Sequence, residues 1–171
     1  MGHNWDSDQP WGSLEEIPGI DDGDTFIRSD FTLLIKLHVD EDGLGAMGYP
    51  GTFSNHQADG CVERENPGRG EYKYFHPCNP ASVHIEAGAT PEEARRYVRE
   101  DLERAESYGS AWHYMIVQVL AFQAGIELGS ASLGQVESDS EQDHLKEIID
   151  GLADEAIKEA QASLENLCSC D

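Results

Sequence analysis

Residues 136–150 read VESDSEQDHLKEIID and hold six carboxylates: Glu137, Asp139, Glu141, Asp143, Glu147 and Asp150. Carboxylates at this density can bind a cation, start a helix, or present a charged face to a basic partner. Calcium is the sharpest of these ideas, because Glu137, Asp139 and Glu141 alternate as the early ligands of a calcium loop do. That loop needs Gly at its sixth position and a carboxylate at its twelfth, and the chain has Gln142 and Ile148 there. Helix initiation fits better. Ser138-Asp139-Ser140-Glu141 matches a capping box, and acids in a first turn favour the positive end of the helix dipole.

Capping leaves the later acids without a role. Asp143, Glu147, Asp150 and Asp154 step by four, three and four residues, so a helix places them on one face. Helical neighbours at that spacing lie about 5–6 Å apart. Phosphates along a nucleic-acid strand are separated by roughly 6–7 Å, extrapolating from the rise between bases. A row of helical carboxylates can therefore stand where a basic groove expects phosphates. The plainer alternative is a solvated helix face.

Other chemistry is thinly represented. His76-Pro77-Cys78 and Cys168-Ser169-Cys170, with His56 or Cys61, are the best zinc candidates, but no Cys pair has the usual two-residue gap. The chain lacks a G-x-S-x-G elbow and a phosphate loop. His113 falls within the apolar strand read over 112–122 and reads as a satisfied core or edge residue rather than a base. Arg95, Arg96, Arg99 and Arg104 form the one basic cluster, and Glu92, Glu93, Glu100, Asp101 and Glu103 around them point to ion pairs within a helix. The expectation is a non-enzyme with no catalytic residue, no metal and no cofactor; a small metalloprotein or hydrolase is the alternative from another class.

The whole chain shares the acidic bias. Its 171 residues carry 34 Asp and Glu against 11 Lys and Arg, a formal net charge of -23. Such a field repels nucleic acid and anionic membranes, and it speeds encounter with basic surfaces. Adaptation to a high-salt cytoplasm would leave a similar composition. No apolar run approaches the ~18 residues of a membrane span, and residues 1–30 lack the apolar core of a signal peptide. A protein of the cytoplasm with reduced thiols is expected.

The elements that must carry these residues follow from periodicity. Residues 1–30 hold eight acids, one base (Arg28) and the helix breakers Pro10, Gly12, Pro18, Gly19 and Gly23, and read as an acidic flexible arm containing Trp5 and Trp11. FTLLIKLHV (31–39) reads as a buried strand. Residues 40–70 read as a long loop, EYKYF (71–75) and SVHIE (82–86) as short strands. Thr90-Pro91-Glu92-Glu93 opens a helix with a capping box, and its apolar stripe, spoiled by Asp101, ends near Gly109. WHYMIVQVLAF (112–122) reads as a central strand, 125–139 as a turn, and 141–167 as a helix with Gly151 as its weak point. The predicted architecture is α+β: one domain over 31–171, with an antiparallel sheet of three or four strands packed against two helices.

The stretch from about Gly70 to Leu164 resembles a family of uncharacterised phage and prophage proteins. The resemblance is carried by Tyr72-Lys73-Tyr74-Phe75, Glu92-Glu93-Ala94-Arg95-Arg96-Tyr97, the strand led by Trp112, and Val136-Glu137-Ser138-Asp139-Ser140, which matches an [IV]-E-S-D-S motif opening a C-terminal helix. The chain departs from that pattern at Leu133-Gly134-Gln135, where the family has Leu-Trp-Gly. The resemblance implies a phage or mobile-element origin and brings no established activity. Combined with the charge, it leads to an expectation of an interaction protein in the host-cell cytoplasm. Such a protein binds a basic, nucleic-acid-handling host protein through Glu137, Asp139, Asp143, Glu147, Asp150 and Asp154, and blocks it by DNA mimicry of the anti-defence type. It contacts neither nucleic acid nor membrane. A virion or assembly component is a further alternative, and the oligomeric state is left open.

Overall fold

Alternation in FTLLIKLHV is realised as strand β2, Phe31–Val39, with Phe31, Leu33 and Ile35 buried and Thr32 exposed. The computed structural model describes residues 20–44 and 48–168. β2 pairs antiparallel with β6, Tyr114–Gln123, in the register Leu33↔Ala121, Ile35↔Val119 and Leu37↔Val117. On its other side lies β1, Thr25–Arg28, joined to β2 through Ser29 and Asp30. Both turn residues have positive φ, 50° and 66°, as a two-residue hairpin turn of the primed type requires. The acidic arm predicted over 1–30 is thus corrected from its C-terminal end: 25–28 is a strand, and Ile20 is already buried. Residues 1–19, with Trp5 and Trp11, lie outside the described residues.

The segment 125–139, predicted to turn, is strand β7, Ile126–Glu137, which completes the antiparallel order β1-β2-β6-β7. Its Gly and Ser content serves packing. A Cβ on Gly129 would collide with the Ala156 carbonyl oxygen and lie 2.6 Å from the Ala160 amide nitrogen. Only glycine lets the last helix come this close to the sheet. That helix is α3, Gln142–Cys168. Leu145, Ile149, Leu152, Ala153, Ala156, Ile157 and Ala160 face inward and meet Leu33, Ile35, Val117, Val119 and Ala121 in one apolar cluster.

Residues 41–113 form a second compact unit, where a single domain over 31–171 was predicted. It has its own three-stranded antiparallel sheet: β3 (Gly51–Ser54), β5 (Tyr74–Pro77) and β4 (Val62–Glu63), in that spatial order. Two of these strands fall within the predicted loop 40–70. They are two to four residues long, below the length at which alternation is visible. The predicted strand 82–86 is instead helix α1, Ala81–Glu86. Pro80 precedes it and nothing in it is fully buried, so no 3.6-residue stripe marks it in the sequence. Helix α2, Pro91–Glu106, starts as predicted: the Thr90 hydroxyl accepts from the Glu93 amide, and Glu93 accepts the Thr90 amide. Hydrogen bonds donated by the Thr90 amide and hydroxyl to the Glu93 carboxylate hold it below its usual range. Asp101, the break in the α2 stripe, is half-buried; burial pushes its carboxyl above the ordinary range, against the pull of His84.

Trp112, predicted to lead the central strand, belongs to the second unit. Its indole N–H donates to the Arg104 carbonyl at 2.8 Å, and the Arg104 guanidinium lies 3.8 Å above the ring. The α+β class holds, with a four-stranded antiparallel sheet, a separate three-stranded sheet and three helices among the described residues.

Candidate interaction surface

The acidic row stands on α3 and on the turn that leads into it. β7 ends at Glu137, whose carbonyl accepts the Ser140 amide at 3.0 Å to close a turn. The first intrahelical bond runs from the Leu145 amide to the Glu141 carbonyl, which makes Glu141 the N-cap. The capping box predicted at Ser138 is therefore displaced: the chain uses 137–140 to reverse direction, and the helix begins three residues later.

The spacing in the sequence points to six carboxylates for this surface. Asp139, Asp143, Glu147 and Asp154 are exposed, while Glu137 and Asp150 are half-buried. With 3.6 residues per turn and a core face centred on Ile149, Ala156 and Ala160, Glu147 projects most directly into solvent and Asp150 sits at the flank. Glu137 and Asp139 precede the helix and are not part of its row. Two exposed acids on the same helix, Glu155 and Glu165, extend the surface. They were legible as further helical acids beyond the run that ends at Asp154. Glu159 plays a different part, for its carboxylate accepts the Ser130 amide of edge strand β7 at 2.6 Å and ties helix to sheet. Lys158 interrupts the solvent face between Asp154 and Glu165.

Arg28 is the residue that sequence reading missed. Hairpin β1–β2 carries it to the flank of α3, where its guanidinium forks onto two carboxylates. One nitrogen bonds Asp150, and the other bonds Asp154 at 3.0 Å. The Arg28 side chain is 27% exposed, against 50% for Asp150 and 73% for Asp154. Burial works against the charge on Arg28. Hydrogen bonds and the charges of Asp150, then Asp154, outweigh it and hold the guanidinium above its ordinary value. Lys146 lies 3.6 Å from Asp143. Glu147 has no salt-bridge partner among the described residues. Ion pairs this open contribute at most about 1 kcal/mol each, because solvent screens them.

The surplus charge is unevenly distributed. Residues 41–113 hold 13 Asp and Glu against 7 Lys and Arg, leaving 21 against 4 for the other unit. The unit that carries α3 thus contains about three quarters of the excess, 17 of 23 charges.

The remaining candidates do not converge. His76 Nε2 lies 3.0 Å from the His56 carbonyl oxygen, Cys61 is half-buried, and Cys78 and Cys168 are exposed; Cys170 is outside the described residues. Among the described residues, no three His, Cys, Asp or Glu side chains gather as a metal site. His113 is half-buried and lies just before β6 rather than within it. Arg96 pairs with Glu100 at 3.6 Å and stacks on Tyr97. With Thr90, Glu92, Glu93, Arg95 and Arg99 it lines an open depression of mixed sign. No helix among the described residues is long and apolar enough to cross a membrane. What the α3 surface offers chemically is a set of acceptors for guanidinium and ammonium groups. Comparison with family models, with curated proteins and with solved structures finds no match for this chain.

Proposed function

We propose that the protein is a phage-type interaction protein that binds a basic, nucleic-acid-handling host protein through the solvent face of α3 and obstructs its nucleic-acid site. The observation that carries this reading is the helical row Asp143, Glu147, Asp150 and Asp154, exposed or half-buried, on the unit that holds most of the excess negative charge. Carboxylates one helical turn apart offer a basic groove a charge spacing close to that of a phosphate backbone. Long-range attraction speeds the encounter. The resemblance of Glu137-Ser138-Asp139-Ser140 and its neighbours to phage and prophage proteins supports a host protein as the target.

The test is affinity capture from host lysate, eluted along a salt gradient, with nucleic acid as competitor. Release at modest salt and displacement by DNA are expected. Asp143→Lys with Glu147→Lys reverses the two charges that Arg28 does not touch, and should weaken capture at least ~tenfold at physiological salt. Undiminished capture by a folded double variant would reject the surface.

A further inference from the structure

The four-stranded sheet has two faces, and α3 takes one of them. Residues paired directly across strands share a face, and alternate positions along a strand share it too. The register therefore puts Leu33, Ile35, Val117 and Val119 under α3, and Ile27, Leu34, Ile116, Leu120 and Phe122 on the opposite side. These five are half-buried, and none belongs to the apolar cluster that joins sheet to helix. A second feature sets this face apart. Its strands carry one acid, Glu127, and one base, Lys36, in a unit with 21 acids against 4 bases. Apart from His38, its other polar positions are uncharged: Thr25, Thr32, Gln118, Ser130 and Ser132.

We infer that this face receives a second copy of the chain, sheet against sheet. Two copies, each of net charge -23, repel one another and pack only where carboxylates do not meet. The register also makes the face self-complementary. One row across the sheet reads Thr25, Leu34, Leu120, Ser130, a leucine pair between two hydroxyl residues. A two-fold axis along the strands, between β2 and β6, lays this row on its own reverse, so Leu34 of each copy meets Leu120 of the other. In the neighbouring rows Phe122 meets Thr32, Lys36 meets Gln118, and Glu127 meets Ile27. At these positions no carboxylate faces a carboxylate and no lysine a lysine. Twisted sheets pack in this aligned way at about 30° and about 10 Å apart. With strands about 4.8 Å apart and about 3.4 Å per residue, the face measures roughly 500 Å², below the ~800 Å² per partner of a standard interface. The dimer is therefore reversible, with a Kd on the order of micromolar or weaker.

Sedimentation velocity of the full chain, over a concentration series at about 0.1 M and about 0.5 M salt, is the test. Monomer should give way to dimer as concentration rises, and the higher salt should tighten association roughly threefold or more by screening the repulsion. That dependence is opposite in sign to release of a basic partner from α3. Leu120→Lys sets an ammonium against each leucine contact and should weaken association at least ~tenfold, while the melting temperature stays close to wild type because Leu120 lies outside the core cluster. Thr32→Lys, at an exposed strand position, should weaken it as well and serves if Leu120→Lys fails to fold. Glu155→Lys, exposed on α3, should not weaken it. A chain that stays monomeric at every concentration and salt overturns the proposal and assigns the face to residues 1–19 or to a different protein. A dimer that both strand variants leave intact overturns it too, because association then uses another surface.

Discussion

Single residues in this chain show how burial and charge compete. Asp101 lies on the packed side of α2, where the helical stripe calls for an apolar residue, and burial raises its carboxyl above the ordinary value of 3.8. A carboxyl with a raised folded-state value binds its proton more tightly in the folded protein. Its contribution to stability is therefore complete below about pH 3.8 and is lost as pH rises through the higher, folded value. Asp101→Asn should abolish this part of the pH dependence and raise the melting temperature at pH 7 relative to the wild type, with little change at pH 3. A melting series from pH 3 to 7 checks the sign. Next to it, His84 stacks on Tyr97 at 5.2 Å and buries its Nε2 without a hydrogen-bond partner. Burying a polar atom in this way costs about 1–3 kcal/mol, so the α1–α2 contact is a place where the second unit gives up stability.

Among the elements, α3 and β7 make the sharpest contrast through their glycines. Gly129 and Gly151 look alike in the sequence, and the structure separates them. A side chain on Gly129 has no room against the backbone of α3, while Gly151 faces open space. Gly129→Ala should destabilise the protein by at least about 2 kcal/mol, because the helix must lift from the sheet. Gly151→Ala should stabilise it by about 0.5–1 kcal/mol by removing a flexible residue from an exposed helix interior. Chemical denaturation of the two variants, expected to shift in opposite directions, is the measurement. The same pair explains what the sequence revealed and what it hid. Long elements with a strong period were legible: β2, β6, α2 and α3, down to the capping box at Thr90 and the inward face from Leu145 to Ala160. β7 was hidden because its small residues answer to the helix packed directly on them at Ala156 and Ala160, a contact that no local pattern records. β1, β3 and β4 were hidden by their length. Of the surface, the carboxylate row could be read from spacing alone. Its neutralising partner could not, since Arg28 lies 122 residues from Asp150 along the chain.

For the whole molecule, the governing fact is that residues 41–113 interrupt a single antiparallel strand pair. β2 and β6 are neighbours in one sheet, and where the chain leaves and returns, the Asp40 amide donates to the Tyr114 carbonyl at 2.9 Å. The carboxylate of Asp40, itself buried, accepts the Gln135 amide in the β7 bulge at 3.0 Å and steadies the same junction. The first unit therefore closes its own sheet without help from the second. Replacing 41–113 by an Asn-Gly turn should leave a cooperatively melting protein. A broad or absent melting transition would show that the first unit does not stand alone.

That interruption also fixes an order of events during synthesis. The β1–β2 hairpin emerges early, with Phe31, Leu33 and Ile35 facing a helix that has not yet been made. Residues 41–113 are contiguous and complete their contacts while the hairpin waits. The pairing Thr32↔Phe122 must then join positions 90 residues apart. Loop-closure entropy grows only slowly with length, by about 0.6 kcal/mol per doubling, and a folded insert whose ends meet shortens the effective loop. The vulnerable interval falls between translation of β2 and of β6, when an unpaired apolar strand edge is open to wrong partners. Growth conditions that slow elongation across residues 41–113 lengthen that interval.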